Sequence, residues 1–230
     1  MPGAFADGSV PKASERGKAR SVLTRLIARY PVAQTALDYE DAWQLLVVTV
    51  MSAQTTDENV NRVAPHLFAR YPTPGDLGEA DPEDVEKIIY STGFYRQKTK
   101  SIIELSQDIE EIHQGVVPAD LDELVKLRGV GRKTASVVLA EMWGMPAIAV
   151  DTHVKRVATR LGLTRQKVPE KIETDLKALY PVASWSGISM RFIQFGRDTC
   201  DALRPLCGEC ELFKICEWPG RFEAAGRPPR

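Results

Sequence analysis

Apolar residues recur three and four positions apart along nearly the whole of this chain, and no pair of runs shows the period-two alternation of a half-buried sheet. Val22, Leu23, Leu26, Ile27 and Tyr30 mark one helical face that Pro31 ends, and Val60, Val63, Ala64, Leu67 and Phe68 mark another. Asp81-Pro82 reads as a helix start, with Asp as N-cap and Pro in the first turn. Ile102, Leu105, Ile109 and Ile112 predict a long helix closed at Gly115, and further helices are expected over 121–127, 133–143, 152–161, 170–179 and 184–197. Trp43 to Met51 is valine-rich, as a strand would be, but it lacks alternation and enters through Glu40-Asp41, which favours a buried helix. The expected fold class is all-α.

The balance of charge narrows the possible partners. Lys plus Arg (30) nearly cancel Asp plus Glu (31), so any contact with nucleic acid must come from a local basic cluster. The longest apolar stretch, Trp43 to Met51, falls well short of the roughly 20 residues that span a bilayer. The first twenty residues have neither a continuous apolar core nor a small-residue cleavage site, and they are read as a basic arm and not as a secretory signal. All four cysteines lie between Cys200 and Cys216, which suits a metal site in a reducing compartment better than a disulfide framework.

The sharpest local signal is the string from Leu127 to Ala135, placed between two helical patterns. Gly129 and Gly131 permit a tight turn that leaves the amides opening the next helix open to a phosphate, while Val130 anchors the turn inward. Asp120 and Glu123 offer a capping box for the first helix. Arg132 and Lys133 follow at the positive end of the second helix, where cations are disfavoured unless an anion compensates. An amine attacks carbon only when neutral, and a helix N-terminus beside Arg132 opposes an added proton on Lys133. Local chemistry alone leaves Lys133 equally readable as a nucleophile or as a phosphate-binding cation.

A second signature is Val150-Asp151-Thr152-His153-Val154-Lys155-Arg156, in which Asp151 precedes the periodic Val154, Val157, Ala158 and Leu161. Asp151 reads as an N-cap, and a carboxylate held ionised by helix amides can also stabilise positive charge on a sugar. His153 suits orientation of a site or contact with a base, and a plain buried histidine fits the same position. The third signature is Cys200-x6-Cys207-x2-Cys210-x5-Cys216, four soft ligands whose spacing alone does not decide between zinc and iron.

Together these strings resemble the endonuclease III family of helix-hairpin-helix DNA glycosylases, with matching segments from about Leu23 to Cys216. The resemblance implies two helical lobes with the helix-hairpin-helix in one and a cysteine-ligated iron-sulfur loop in the other, and a DNA cleft between them. The organisation implied is a mobile basic arm over 1–18, a helical bundle over 36–145, an iron-sulfur domain over 19–35 plus 146–219, and a loose tail over 220–230. It makes Lys133 the Schiff-base nucleophile, Asp151 the essential carboxylate, and Cys200, Cys207, Cys210 and Cys216 the ligands of a four-iron four-sulfur (4Fe-4S) cluster.

The resemblance further implies DNA contacts by Gly129, Val130, Gly131, Arg132 and His153. Two wedges would fill the gap left by a flipped base: Gln54 in Met51-Ser52-Ala53-Gln54-Thr55-Thr56-Asp57, and Phe94 after Thr92-Gly93. Asp57 is expected to cap the following helix, and Arg197, Arg204 and Lys214 to meet phosphates. The family usually carries Pro where this chain has Arg128, a departure expected to loosen the turn and add a charge. It often carries Leu where this chain has Phe94.

The activity so implied is excision of oxidised pyrimidines from duplex DNA, followed by β-elimination at the abasic site. The expected setting is a monomer in the bacterial cytoplasm, at the nucleoid, without a membrane partner. The competing readings are a mismatch adenine or thymine glycosylase, a non-catalytic DNA-binding module and a cluster-based electron carrier. Retention of Lys133 speaks against the mismatch enzymes, and the presence of both Lys133 and Asp151 against the other two.

Overall fold

A computed structural model describes residues 3–226, apart from the side chain of Ser186. Among the described residues the regular structure is entirely helical. In chain order the helices are α1 (Ala13–Arg29), α2 (Ala42–Met51), α3 (Asp57–Arg70), α4 (Pro74–Gly78), α5 (Pro82–Ile89) and α6 (Tyr95–His113). They continue with α7 (Leu121–Leu124), α8 (Arg132–Trp143), α9 (Thr152–Leu161), α10 (Pro169–Leu179), α11 (Trp185–Asp198) and α12 (Arg221–Ala225). The chain divides into two compact units: Thr35–Met145, and Met1–Gln34 with Pro146–Arg230.

The first unit is built around α2. Trp43, Leu45, Leu46, Val47, Val48 and Met51 are all buried, so this helix is apolar on every side and has to be central. Each such side chain contributes about 1.5–3 kcal/mol of burial, which outweighs the strand propensity of the valines. Asp41 starts the helix by accepting the amide of Gln44 at 2.8 Å. The buried indole N–H of Trp43 donates to Ser106 Oγ of α6 at 3.0 Å, so packing α2 on α6 leaves that donor satisfied. α3, α6 and α8 surround α2, and α4 and α5 pack on α6.

The second unit joins the N-terminal helix to the C-terminal half of the chain around its own core. Val22 and Leu26 of α1 pack with Val154, Val157, Ala158 and Leu161 of α9, Ile172 and Leu176 of α10, and Ile188, Phe192 and Phe195 of α11. Two stretches differ from the sequence expectation. Residues 13–18 belong to α1, and in the segment before it the Ala6 amide donates to Asp175 Oδ1 at 2.8 Å. Residues 221–225 of the expected tail form α12, held by the buried Ala224. The rest of that tail, 227–230, lies outside the described residues.

Candidate functional site

The glycine hairpin forms the link between α7 and α8. Asp120 caps α7 by accepting the amides of Asp122 and Glu123 at 2.9 and 3.0 Å, while Glu123 pairs with Lys126. Leu124, Leu127 and Val130 are buried in the core of the first unit, which fixes the inner side of the turn. Gly129 has φ +80°, and a Cβ there would meet Ser101 Cβ at 3.1 Å, so both conformation and space require glycine. Gly131 is the N-cap of α8 and brings no side chain over its first-turn amides. Arg132 and Lys133 stand exposed in that first turn.

Arg128 behaves contrary to expectation. Its backbone N–H donates to Asp108 Oδ2 at 2.7 Å and its Nε to Oδ1 at 2.8 Å. Asp108 projects from α6 and is only 7% exposed. Burial works to raise the Asp108 carboxyl, but the hydrogen bonds and charge of Arg128 outweigh it and hold the group below the ordinary aspartate range. Arg128 therefore pins the turn to α6, with its charge matched, instead of loosening it.

The two expected wedges lie on neighbouring turns of the same unit. Gln54 follows α2 and is exposed with φ +57°; Phe94 precedes α6 and is 67% exposed with φ +47°. Left-handed backbone costs a residue with a side chain roughly 1 kcal/mol or more, so both are held in conformations that need outside support. Asn59 of α3 supplies part of it. Its Nδ2 donates to Thr55 Oγ1 and to the Ser91 carbonyl, and its Oδ1 accepts from Arg62 and from Ser91 Oγ. Lys98 holds the second turn from below, its buried Nζ donating to the Thr92 carbonyl at 2.7 Å, and burial lowers its pKa. Thr56, and not Asp57, caps α3, accepting the Asn59 amide at 3.2 Å.

In the second unit Asp151 is the N-cap of α9, accepting the Val154 amide at 2.8 Å. His153 lies in the first turn of α9, half-buried, with Nδ1 3.0 Å from the Arg156 guanidinium. Its pKa is lowered chiefly by burial; the nearby Asp151 carboxylate works the other way, and Arg156 and Arg197 add to the lowering. Arg156 also donates to the carbonyls of Gly196 and Cys200, both at 2.9 Å. Arg160, one turn farther along α9, donates to Cys200 Sγ at 3.3 Å and to the carbonyls of Asp201 and Ala202, and stacks on Trp218 at 4.2 Å. The helix that begins at Asp151 thus also supports the cysteine loop.

Cys200, Cys207, Cys210 and Cys216 line one small cavity, and none is in a disulfide. Burial raises the thiol pKa of Cys207 and Cys216 and pushes that of Cys210 up to about 12. Buried thiols of this kind ionise only when a cationic partner compensates. Two polar atoms at the same cavity, Thr199 Oγ1 and Arg221 Nε, are buried without a hydrogen-bond partner among the described residues. Among the described residues, no three Cys, His, Asp or Glu groups converge as a single metal ion needs. Arg197, Arg204 and Lys214 are exposed near this loop in sequence. Asp108, Asn59 and Arg160 are not singled out by the sequence, and Lys98 and Arg156 lie in its signatures without a role; the spacing of Arg156 and Arg160, four apart on α9, is the one periodic signal among them.

The chain has relatives over most of its length. Residues 47–181, more than half of it, match the family described as HhH-GPD superfamily base excision DNA repair protein. Endonuclease III of Synechocystis is 47% identical over 205 residues, covering 89% of this chain and 94% of the relative. The Escherichia coli endonuclease III is 37% identical over 208 residues, with 90% and 99% covered. Among solved structures, a non-covalent endonuclease III–DNA complex has a TM-score of 0.84 at 41% identity, covering 88% of this chain and 95% of that one. A trapped endonuclease III–DNA covalent intermediate gives the same values. An all-helical fold, a glycine hairpin opening on an exposed lysine and a four-cysteine loop agree with these matches, and the chain belongs to the endonuclease III family of the HhH-GPD superfamily.

Proposed function

We propose that this chain is a base-excision-repair enzyme that removes oxidised pyrimidines from duplex DNA and then cleaves the abasic site by β-elimination. The observation that carries this reading is the exposed lysine in the first turn of α8, immediately after the hairpin, in a chain 41% identical to a protein trapped covalently on DNA. Lys133 is the nucleophile. Its neutral amine attacks the anomeric carbon of the damaged nucleotide, and the base leaves with the bonding electrons and takes up a proton. The sugar ring opens to a Schiff base on Lys133. Loss of a proton from the adjacent carbon drives the electrons toward the iminium and breaks the carbon–oxygen bond to the 3′ phosphate, and water then releases the lysine.

Asp151, kept ionised as an N-cap, stabilises the positive charge that grows on the sugar. Gly129, Val130, Gly131 and Arg132 hold the DNA backbone at the hairpin, and His153 contacts the extruded nucleotide. Gln54 and Phe94 occupy the vacated place in the stack, since extrusion costs a few kcal/mol that a filling side chain offsets.

The four cysteines are read as ligands of a four-iron four-sulfur cluster. The four cysteines line one cavity, and an all-thiolate donor set of this kind is the one such a cluster takes. When bound, such a cluster would supply the cationic partner that buried thiols need to ionise, and Cys200, Cys207, Cys210 and Cys216 would hold it within the loop that carries Arg204 and Lys214. No helix among the described residues is long and apolar enough to cross a membrane, and the bacterial nucleoid is the proposed place of work. The activity is tested by incubating the enzyme with an end-labelled duplex carrying one thymine glycol. Release of the modified base with a nick at that position is expected; an intact strand with intact base would overturn the reading.

A further inference from the structure

The segment beyond the last cysteine lies against the cysteine cavity. Arg221, the first residue of α12, lines that cavity together with the four cysteines. Its guanidinium is fixed from two sides: Nη1 donates to the Trp218 carbonyl at 2.8 Å, and the group lies 4.3 Å over the Phe222 ring. Phe222 in turn meets Phe213 edge-on at 5.4 Å, and Phe213 is another wall of the same cavity. The end of α12 backs onto the Cys207–Glu209 turn so closely that a Cβ on Gly208 would come within 3.2 Å of the Ala225 carbonyl. An arginine held this firmly still has a buried Nε with no acceptor among the described residues. A buried donor left unmade is costly, and proteins seldom retain one without a partner.

The cavity that Arg221 lines is lined also by the four cysteines, which puts sulfur acceptors at the same site as that donor. Arg160, the other guanidinium at the cavity, already donates to Cys200 Sγ and to loop carbonyls. We infer that Arg221 is a cluster-supporting residue: its Nε–H donates to a sulfur of the bound iron-sulfur cluster, its charge offsets the cluster's negative charge, and α12 is part of the cluster's housing. The inference rests on the four-iron four-sulfur reading above. Hydrogen bonds and positive charge at the sulfurs favour the reduced, more negative form and protect the iron–thiolate bonds from solvent.

The test uses the full-length protein as purified, with iron and acid-labile sulfide assayed first. Equal iron and sulfide in the wild type, near four of each per chain, is required by the cofactor reading; zinc without sulfide would overturn that reading and this inference with it. Arg221→Gln and Arg221→Lys are then compared with wild type for loss of visible cluster absorbance under air with a chelator, and for midpoint potential. Arg221→Gln is expected to lose its cluster on the order of 10-fold faster and to shift the potential downward, while Arg221→Lys restores the potential because it keeps the charge. A cluster-loaded wild type whose Arg221→Gln variant matches it in both decay rate and potential would overturn the role of Arg221 and leave the cofactor reading standing. Far-UV circular dichroism of the loaded proteins separates cluster loss from unfolding.

Discussion

Asp108 of α6 accepts both the backbone amide and the guanidinium of Arg128, so one buried carboxylate fixes the entrance to the glycine hairpin. This joint replaces the rigidity that a proline would give at position 128 with two charge-assisted hydrogen bonds, at 2.7 and 2.8 Å. Asp108→Ala removes both and leaves the arginine without its main partner. The expected cost is about 2 kcal/mol in denaturant unfolding, with weaker binding of abasic-site DNA because the hairpin loses its anchor. Because Asp108 titrates lower in the folded protein, its stabilisation is present above the unfolded aspartate pKa of about 3.9 and is lost as pH falls through the folded value. A variant as stable as wild type at pH 7 would remove Asp108 from this role.

Asp151 has two duties that substitution can separate. Asparagine caps a helix about as well as aspartate, so Asp151→Asn should unfold within about 0.5 kcal/mol of wild type. The charge is gone, however, and single-turnover excision should fall on the order of 100-fold or more. Asp151→Ala should lose the activity and about 1 kcal/mol of stability as well. Excision by Asp151→Asn at the wild-type rate would leave the residue with its capping role alone.

Gln54 and Phe94 each stand in left-handed backbone with their side chains exposed. Glycine at either position relieves the local strain, so stability should be unchanged or slightly higher. Excision from duplex DNA should drop roughly 10-fold, the equivalent of one lost stacking contact of about 1–3 kcal/mol, while incision of a preformed abasic site in single-stranded DNA changes less. Equal losses on both substrates would argue against a wedge.

His153 carries a pH signature. Burial first, and then the charges of Arg156 and Arg197, lower its pKa despite Asp151. The unfolded chain therefore takes up this proton before the folded one does, and folding stability should decline as pH drops below about 6.5. His153→Asn should flatten that decline in unfolding midpoints measured between pH 7.5 and 5. Parallel slopes for the two proteins would show that another group governs the trend.

Much of this was readable from residue order because helical period, caps and punctuation are local. Asp41, Asp81, Asp120 and Asp151 start helices where the sequence expects them, and the buried face of α2 follows from its unbroken apolar run. The contacts that escaped prediction join residues far apart in sequence: Asp108 with Arg128, Asn59 with Ser91, Arg156 and Arg160 with the Cys200 loop. No periodicity reports such pairs, and so Arg128 reads as a loosened turn until its partner is seen. The short helix α12 within the expected tail escaped prediction for the same reason, since it packs against the cavity wall that residue order does not reveal.

The nucleophile is the claim on which the rest of the chemistry depends. Borohydride added during reaction with a thymine-glycol duplex reduces a Schiff base to a permanent bond, and digestion with mass spectrometry locates it. A DNA adduct on Lys133, absent in Lys133→Gln, is the expected result. An adduct on another amine, or none while the strand is still cut, would contradict it.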